Sequence, residues 1–309
     1  MKTQKLTGLI AAVYTPLGAD GTVRTSAVRP MTDYLLSTGI SGMYVCGSTG
    51  EGMSLSSDER MTVAEAYVNA ADGRVPVIVQ VGHNSLSEAR QLAAHAQAVG
   101  ADVISATCPS YFKVSDVKTL TDCIADVAAG APDLPFYYYH IPSLTGSALD
   151  MPEFLSFAGS RIPNLAGLKY TDTKLFEFQE CRETDGGRFD VVWGCDEMLL
   201  GALATGAEAA IGSTYNIAAP LYNDIITAFT SGRPEEARRL QLLSVRMIRV
   251  LCRYPFHSAM KEVLRMKGID VGRCRLPQPP LSDQQVTSLK SELDAIDFFE
   301  WSQPQNTSP

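Results

Sequence analysis

Three polar stretches stand at the ends of apolar runs, where a parallel sheet would deliver them to one edge. Lys169 closes the run Leu165-Ala166-Gly167-Leu168, Tyr139 closes Tyr137-Tyr138, and Gly47-Ser48-Thr49-Gly50-Glu51-Gly52 follows the run at 42–46. With the two-residue period of a strand, Lys169 and Thr171 share a face with Gly167 and Leu165, and Tyr137 shares a face with Tyr139. A lysine on the interior face of such a sheet is desolvated. Burial penalises its charged form, and a neutral amine can attack a ketone to form a Schiff base. A phenol close to the resulting iminium can move protons. Pattern alone leaves two plainer outcomes open: a strand-end lysine reaching to solvent, and tyrosines that simply pack. The glycine-rich stretch has the order G-x-x-G-x-G and no Gly-Lys-Ser/Thr, so it is not a nucleotide loop. Its amides and two hydroxyls suit a carboxylate, or it is a plain tight turn.

Further strand ends add to this set. Pro109-Ser110-Tyr111, Gly194-Cys195-Asp196-Glu197 and Gly212-Ser213-Thr214-Tyr215-Asn216 each follow an apolar run. Asp196 and Glu197 suit either a helix N-terminus or the hydroxyls of a polyol. The stretch at 212–216 follows the eighth run, a place where barrels bind phosphate, so a phosphosugar remains possible on spacing alone. The four histidines (83, 95, 140, 257) show no metal spacing, and no metal or cofactor is expected. His95 reads as a structural residue within a helix.

Positioning these residues requires eight strands. The runs at 8–14, 42–46, 75–81, 102–107, 134–139, 165–169, 190–193 and 207–211 are short and apolar, with amphipathic stretches between them. Unbroken apolar strands alternating with helices imply a parallel sheet covered by helices, and eight cycles suit a closed (β/α)8 TIM barrel. Ser85-Leu86-Ser87-Glu88 reads as a capping box opening a helix that Gly100 closes, and Ser57-Asp58 precedes another helix. Helical segments at 234–251, 256–266 and 282–296 exceed what a barrel needs. The expected organisation is a catalytic barrel over residues 1–232 and a C-terminal helical cap over 233–309, ending in a frayed polar tail at 302–309.

The 309 residues are 45% hydrophobic, enough for a large core, and a net charge of −8 with a pI near 5.1 argues against nucleic-acid or anionic-membrane surfaces. Seven cysteines with no C-x-x-C pair read as reduced thiols of a cytoplasmic protein. Cys46, Cys108 and Cys195 read as small buried apolar residues rather than nucleophiles. Lys2 and Lys5 before the apolar run 6–13 resemble a signal peptide, but no small-residue cleavage pattern follows and a first strand fits better. No stretch reaches the roughly 18 to 20 apolar residues of a membrane span.

Gly47-Ser48-Thr49-Gly50-Glu51, Tyr139-His140-Ile141-Pro142, Gly167-Leu168-Lys169 and Gly212-Ser213-Thr214-Tyr215-Asn216, in this order and at these separations, resemble the N-acetylneuraminate lyase branch of the dihydrodipicolinate synthase superfamily. The likeness runs from about residue 6 to beyond 264. It implies that Lys169 is the Schiff-base lysine, Tyr139 the proton-transferring tyrosine and Tyr111 a tyrosine near the mouth of the site. Ser48 and Thr49 match the pair that binds the keto-acid carboxylate. Thr171, Gly194, Asp196, Glu197 and Ser213 match positions that hold the sugar acid's hydroxylated chain, and Phe256 matches an aromatic near its acetamido group. The implied reaction is reversible cleavage of N-acetylneuraminate to N-acetylmannosamine and pyruvate without a cofactor, in a cytoplasmic homotetramer. Synthases of the superfamily carry an arginine five residues after the catalytic tyrosine, where this chain has Leu144. Dihydrodipicolinate synthase, another pyruvate aldolase and a non-enzymatic sugar-acid binding barrel are the competing readings. Cys195, between Gly194 and Asp196, departs from the family pattern.

Overall fold

The structure is a computed structural model and describes residues 5–303. Lys2 and the tail at 304–309 lie outside the described residues. Strands and helices alternate as β1 Gly8–Ala12, α1 Val28–Ser37, β2 Gly42–Val45, α2 Ser57–Ala71, β3 Val77–Gln80, α3 Leu86–Ala98, β4 Val103–Ala106, α4 Val117–Ala128, β5 Phe136–His140, α5 Pro142–Thr145, α6 Met151–Gly159, β6 Leu165–Tyr170, α7 Leu175–Glu183, β7 Asp190–Trp193, α8 Leu199–Ala204, β8 Ala209–Gly212 and α9 Tyr215–Thr230. Then follow α10 Pro234–Leu251, α11 Phe256–Met266, α12 Asp283–Asp294 and α13 Phe298–Trp301. The strands form one closed barrel in sequence order, all neighbours parallel, with β8 returning to β1. The expected (β/α)8 barrel with a C-terminal helical extension is therefore present, and no helix of the described residues is long and apolar enough to cross a membrane.

Two apolar layers hold the barrel. The inner one is small and includes Ile10, Tyr44, Ile78, Val103, Tyr137, Tyr139, Val192 and Ile211; the outer one fills the space between strands and helices. Strands buried on both faces must be apolar on both, which is why the sequence shows runs and not alternation. Of the added helices, α10 lies along α9, and α12 packs on α10 and α11.

The structure moves several expected details. Ser56, not Ser57, caps α2, in a full capping box with Glu59. Ser85 does cap α3 through the Glu88 amide, but the box is only half formed, because the Glu88 carboxylate accepts from the Ser57 hydroxyl at 2.5 Å instead of closing on Ser85. Leu165 does not share the interior face of Lys169. The ladder between β5 and β6 slips at Phe136/Tyr137, so Leu165 turns into the outer layer while Ala166 packs on the inner one. An extra residue at a bulge inverts the alternation on one side of it. The polar tail begins later than expected: Ser302 is buried, and its carbonyl and hydroxyl accept from Lys267 Nζ at 3.1 and 2.8 Å.

Candidate active site

The turn after β2 carries Ser48 and Thr49. Cys46 and Glu51 both sit at positive φ, +57° and +56°, and the turn closes through Glu51 N–H to Ser48 O and Gly52 N–H to Gly47 O, neither of which uses the Ser48 or Thr49 amide. Glycine is required at 52, where a Cβ would stand 1.9 Å from the Cys46 carbonyl oxygen. Beneath this turn a buried ion pair ties the barrel to α11. Lys261 Nζ donates to Glu51 at 2.7 Å and to the carbonyls of Thr15 and Arg273, and the other Glu51 oxygen accepts from the Arg275 amide.

Lys169 projects from β6 into the barrel and is 4% exposed. Its Nζ lies 3.9 Å from the ring centroids of both Tyr44 and Tyr139. Burial pushes the amine down to about 7, against smaller opposing pulls from Asp196 and Cys195. Near neutral pH a large share of the amine is therefore unprotonated, the form that attacks a carbonyl. Tyr139 is a register partner of Lys169 on β5. Burial raises its phenol to about 12, with Ser48 and Thr171 hydroxyls pulling it back down.

The opposite wall comes from β7 and β8. Asp196 begins a 3-10 turn after β7 but does not cap a helix. Its Oδ2 accepts from both the amide and the hydroxyl of Thr214, at 2.8 and 2.6 Å. Burial raises its carboxyl to about 6, the Thr214 bonds opposing this. Asp196 Oδ1 is buried without a hydrogen-bond partner among the described residues. The site where barrels bind phosphate after the eighth strand thus already points its Thr214 groups at a carboxylate, which disfavours a phosphosugar. Ser213 shares a 2.6 Å hydrogen bond with Thr49, joining this wall to the β2 turn.

These residues line one cavity of about 350 Å3, whose walls include Ser48, Thr49, Tyr139, Lys169, Thr171, Gly194, Asp196, Glu197, Ser213 and Phe256. The structure therefore gathers ten of the eleven expected site residues. Tyr111 stands apart. It is 79% exposed on the turn after β4, edge-on to Phe112, with its amide donating to Asn84 Oδ1. Sequence reasoning did not single out Tyr44, nor Ile248 of α10 and Cys252 just past its end, which also line the site. Tyr44 was visible as a tyrosine two residues before the end of its run; Ile248, Cys252 and Phe256 recur at helical spacing of four. Leu144 also lines the cavity, and Lys169 is its one lysine or arginine among the described residues. Of the cysteines, Cys46 is buried with its thiol raised to about 11, mainly by burial. Cys195 is only half-buried; burial first, then Glu197, raises its thiol to about 12. Neither is a thiolate nucleophile.

The family model described as the Dihydrodipicolinate synthetase family matches residues 5–296. An N-acetylneuraminate lyase of Xenopus tropicalis is 41% identical over 96% of this chain and 98% of its own length. The solved N-acetylneuraminate lyase (sialic acid aldolase) of Aliivibrio salmonicida superposes with a TM-score of 0.94 at 39% identity, covering 97% of this chain and all of that one. The Proteus mirabilis N-acetylneuraminate lyase gives 0.93 at 39% identity over 96% of this chain and 100% of that one.

Proposed function

The chain belongs to the dihydrodipicolinate synthetase family, and from that premise we propose that it is a Schiff-base aldolase cleaving N-acetylneuraminate reversibly to N-acetylmannosamine and pyruvate. The observation that carries this reading is a buried amine, held between two aromatic faces, in a cavity whose far wall offers hydrogen-bond acceptors and no second cation. A second substrate carrying a carboxylate would meet Leu144 where it needs an arginine, a loss of roughly 1 to 3 kcal/mol. A polyol instead meets Asp196 Oδ1, Glu197 and the hydroxyls of Thr171 and Ser213.

The reaction follows from the geometry. Neutral Lys169 attacks the ketone of the open-chain sugar acid, whose carboxylate rests on Ser48 and Thr49. Loss of water with uptake of one proton from solvent leaves a protonated imine, which draws electrons from the bond between carbons 3 and 4. A phenol near 12 is protonated at neutral pH, so Tyr139 works as a relay. It accepts the proton of the carbon-4 hydroxyl while its own passes to the substrate carboxylate. N-acetylmannosamine leaves as the aldehyde; the enamine takes a proton at carbon 3 and is hydrolysed to pyruvate. Phe256, Ile248 and Cys252 form the wall that meets the acyl end.

The exposed pair Tyr111 and Phe112 suits a subunit contact, which supports a homotetramer, and the cysteine usage supports a cytoplasmic setting. Sedimentation should give about four times the 33.4 kDa chain mass. The functional test is a kinetic panel with N-acetylneuraminate, with pyruvate plus N-acetylmannosamine, and with pyruvate plus aspartate semialdehyde. The first two should turn over efficiently and the third poorly. Efficient use of the semialdehyde with no cleavage of N-acetylneuraminate would overturn the assignment.

A further inference from the structure

The outer side of the Lys169 wall carries polar groups that the aldolase chemistry does not use. His140 on β5 pairs in register with Tyr170 on β6, so both point outward, away from Lys169. His140 is fully buried, its ring 5.2 Å from that of Tyr170, yet neither ring nitrogen has a hydrogen-bond partner among the described residues. Glu177, in the first turn of α7, is 8% exposed; its carboxylate accepts from the Tyr170 hydroxyl and, among the described residues, makes no ion pair. Asp172, on the loop between β6 and α7, closes the outer side; its side chain is 19% exposed and lies 3.3 Å from Lys174. One ligand atom from each of His140, Asp172 and Glu177 lies within 4.8 Å of the other two.

We propose that His140, Asp172 and Glu177 bind one first-row divalent cation of the zinc class on the outer wall of the barrel. A buried carboxylate normally has a counter-charge, and a buried imidazole normally has a partner. A single cation satisfies both, through one imidazole nitrogen and two carboxylate oxygens. That donor set suits zinc and its first-row neighbours, whereas magnesium and calcium prefer oxygen alone. The Tyr170 hydroxyl holds Glu177 from behind, the kind of outer hydrogen bond that orients a metal ligand. Asp172, the most exposed of the three, marks the entry path. The ligands span β5, the β6–α7 loop and α7, so the ion ties together the wall that carries Lys169 and Thr171. Histidine spacing along the sequence gave no hint of the site, because the fold supplies its three ligands from separate elements.

The test uses the full chain without an affinity tag, freed of metal by chelation. Zinc is titrated by calorimetry, cobalt by its visible absorption, and thermal unfolding is followed with and without zinc. The expected result is one zinc per chain, a raised unfolding midpoint, cobalt bands of a site with nitrogen and oxygen ligands, and no displacement by millimolar magnesium. His140→Gln and Asp172→Asn should each weaken zinc binding by about 10-fold or more. Asp172→Asn, near the surface, keeps the test valid if the buried His140 variant fails to fold. Absence of stoichiometric binding, binding unchanged in Asp172→Asn, or displacement of zinc by magnesium would overturn the proposal.

Discussion

Among the described residues two lysines are almost fully buried, and they differ in what surrounds the amine. Lys169 sits 3.9 Å from two tyrosine ring centroids, with no carboxylate of the described residues in hydrogen-bonding contact, and burial lowers it to about 7. Lys261, 2% exposed, donates to Glu51 and to two backbone carbonyls. Burial alone does not make a nucleophile. An amine given a carboxylate and two carbonyls is locked in an ion pair and serves as a bolt; an amine buried mainly against aromatic faces gives up its proton more readily and becomes available for reaction. The bolt in turn secures the turn that carries Ser48 and Thr49, so the two lysines serve one cavity by opposite means.

Lys169→Ala should abolish turnover while the protein stays folded, since among the described residues no other lysine lines the cavity; activity assay with circular dichroism checks both. Tyr139→Phe should lower kcat by about 10²–10⁴-fold while imine trapping persists in part. A normal kcat in that variant would assign the proton transfer elsewhere. Lys261→Met strands Glu51 in the interior and should destabilise the fold by about 3–5 kcal/mol in denaturant unfolding, while Glu51→Gln/Lys261→Met should lose less. Its surviving activity should show a raised KM for the keto acid, with trapping still on Lys169.

On the proposed reading, Asp196→Ala removes an acceptor for the substrate's hydroxyls. It should reduce kcat/KM for N-acetylneuraminate by about 5- to 150-fold, equivalent to roughly 1 to 3 kcal/mol, and leave the plateau rate of pyruvate imine formation above pH 7 nearly unchanged. The smallest effect is that of pH. Imine formation should rise up to about tenfold per unit below pH 7 and level off above it, following the neutral fraction of Lys169. Because Asp196 raises that amine's pKa, Asp196→Ala should move the rising limb to lower pH. Stability has a matching signature. Between about 7 and 10.5 the unfolded chain holds the Lys169 proton and the folded one does not, so this lysine makes stability rise with pH there. Lys169→Met should flatten that slope.

Much of the barrel and of the rim was legible in the sequence, because it depends on local signals. Apolar runs marked the eight strands, and polar residues at their ends marked the site. Contacts set by distant segments were not legible. Glu51 and Lys261 are 210 positions apart, and nothing near either names the other. The slip that turns Leu165 outward depends on how β5 and β6 pair, which a two-residue period cannot show. The Glu88 carboxylate serves Ser57 from a neighbouring helix, so a helix-start motif predicted the cap but not its second bond. The match that placed Tyr111 near the mouth says nothing of its exposure, which the course of the turn after β4 decides.

The central claim is that Lys169, and not its buried counterpart, forms the covalent bond to substrate. Incubation with pyruvate and borohydride, followed by digestion and mass mapping, tests it directly. One reduced three-carbon adduct per chain is expected, on Lys169. An adduct on Lys261 or any other lysine, or no adduct at all, would contradict it.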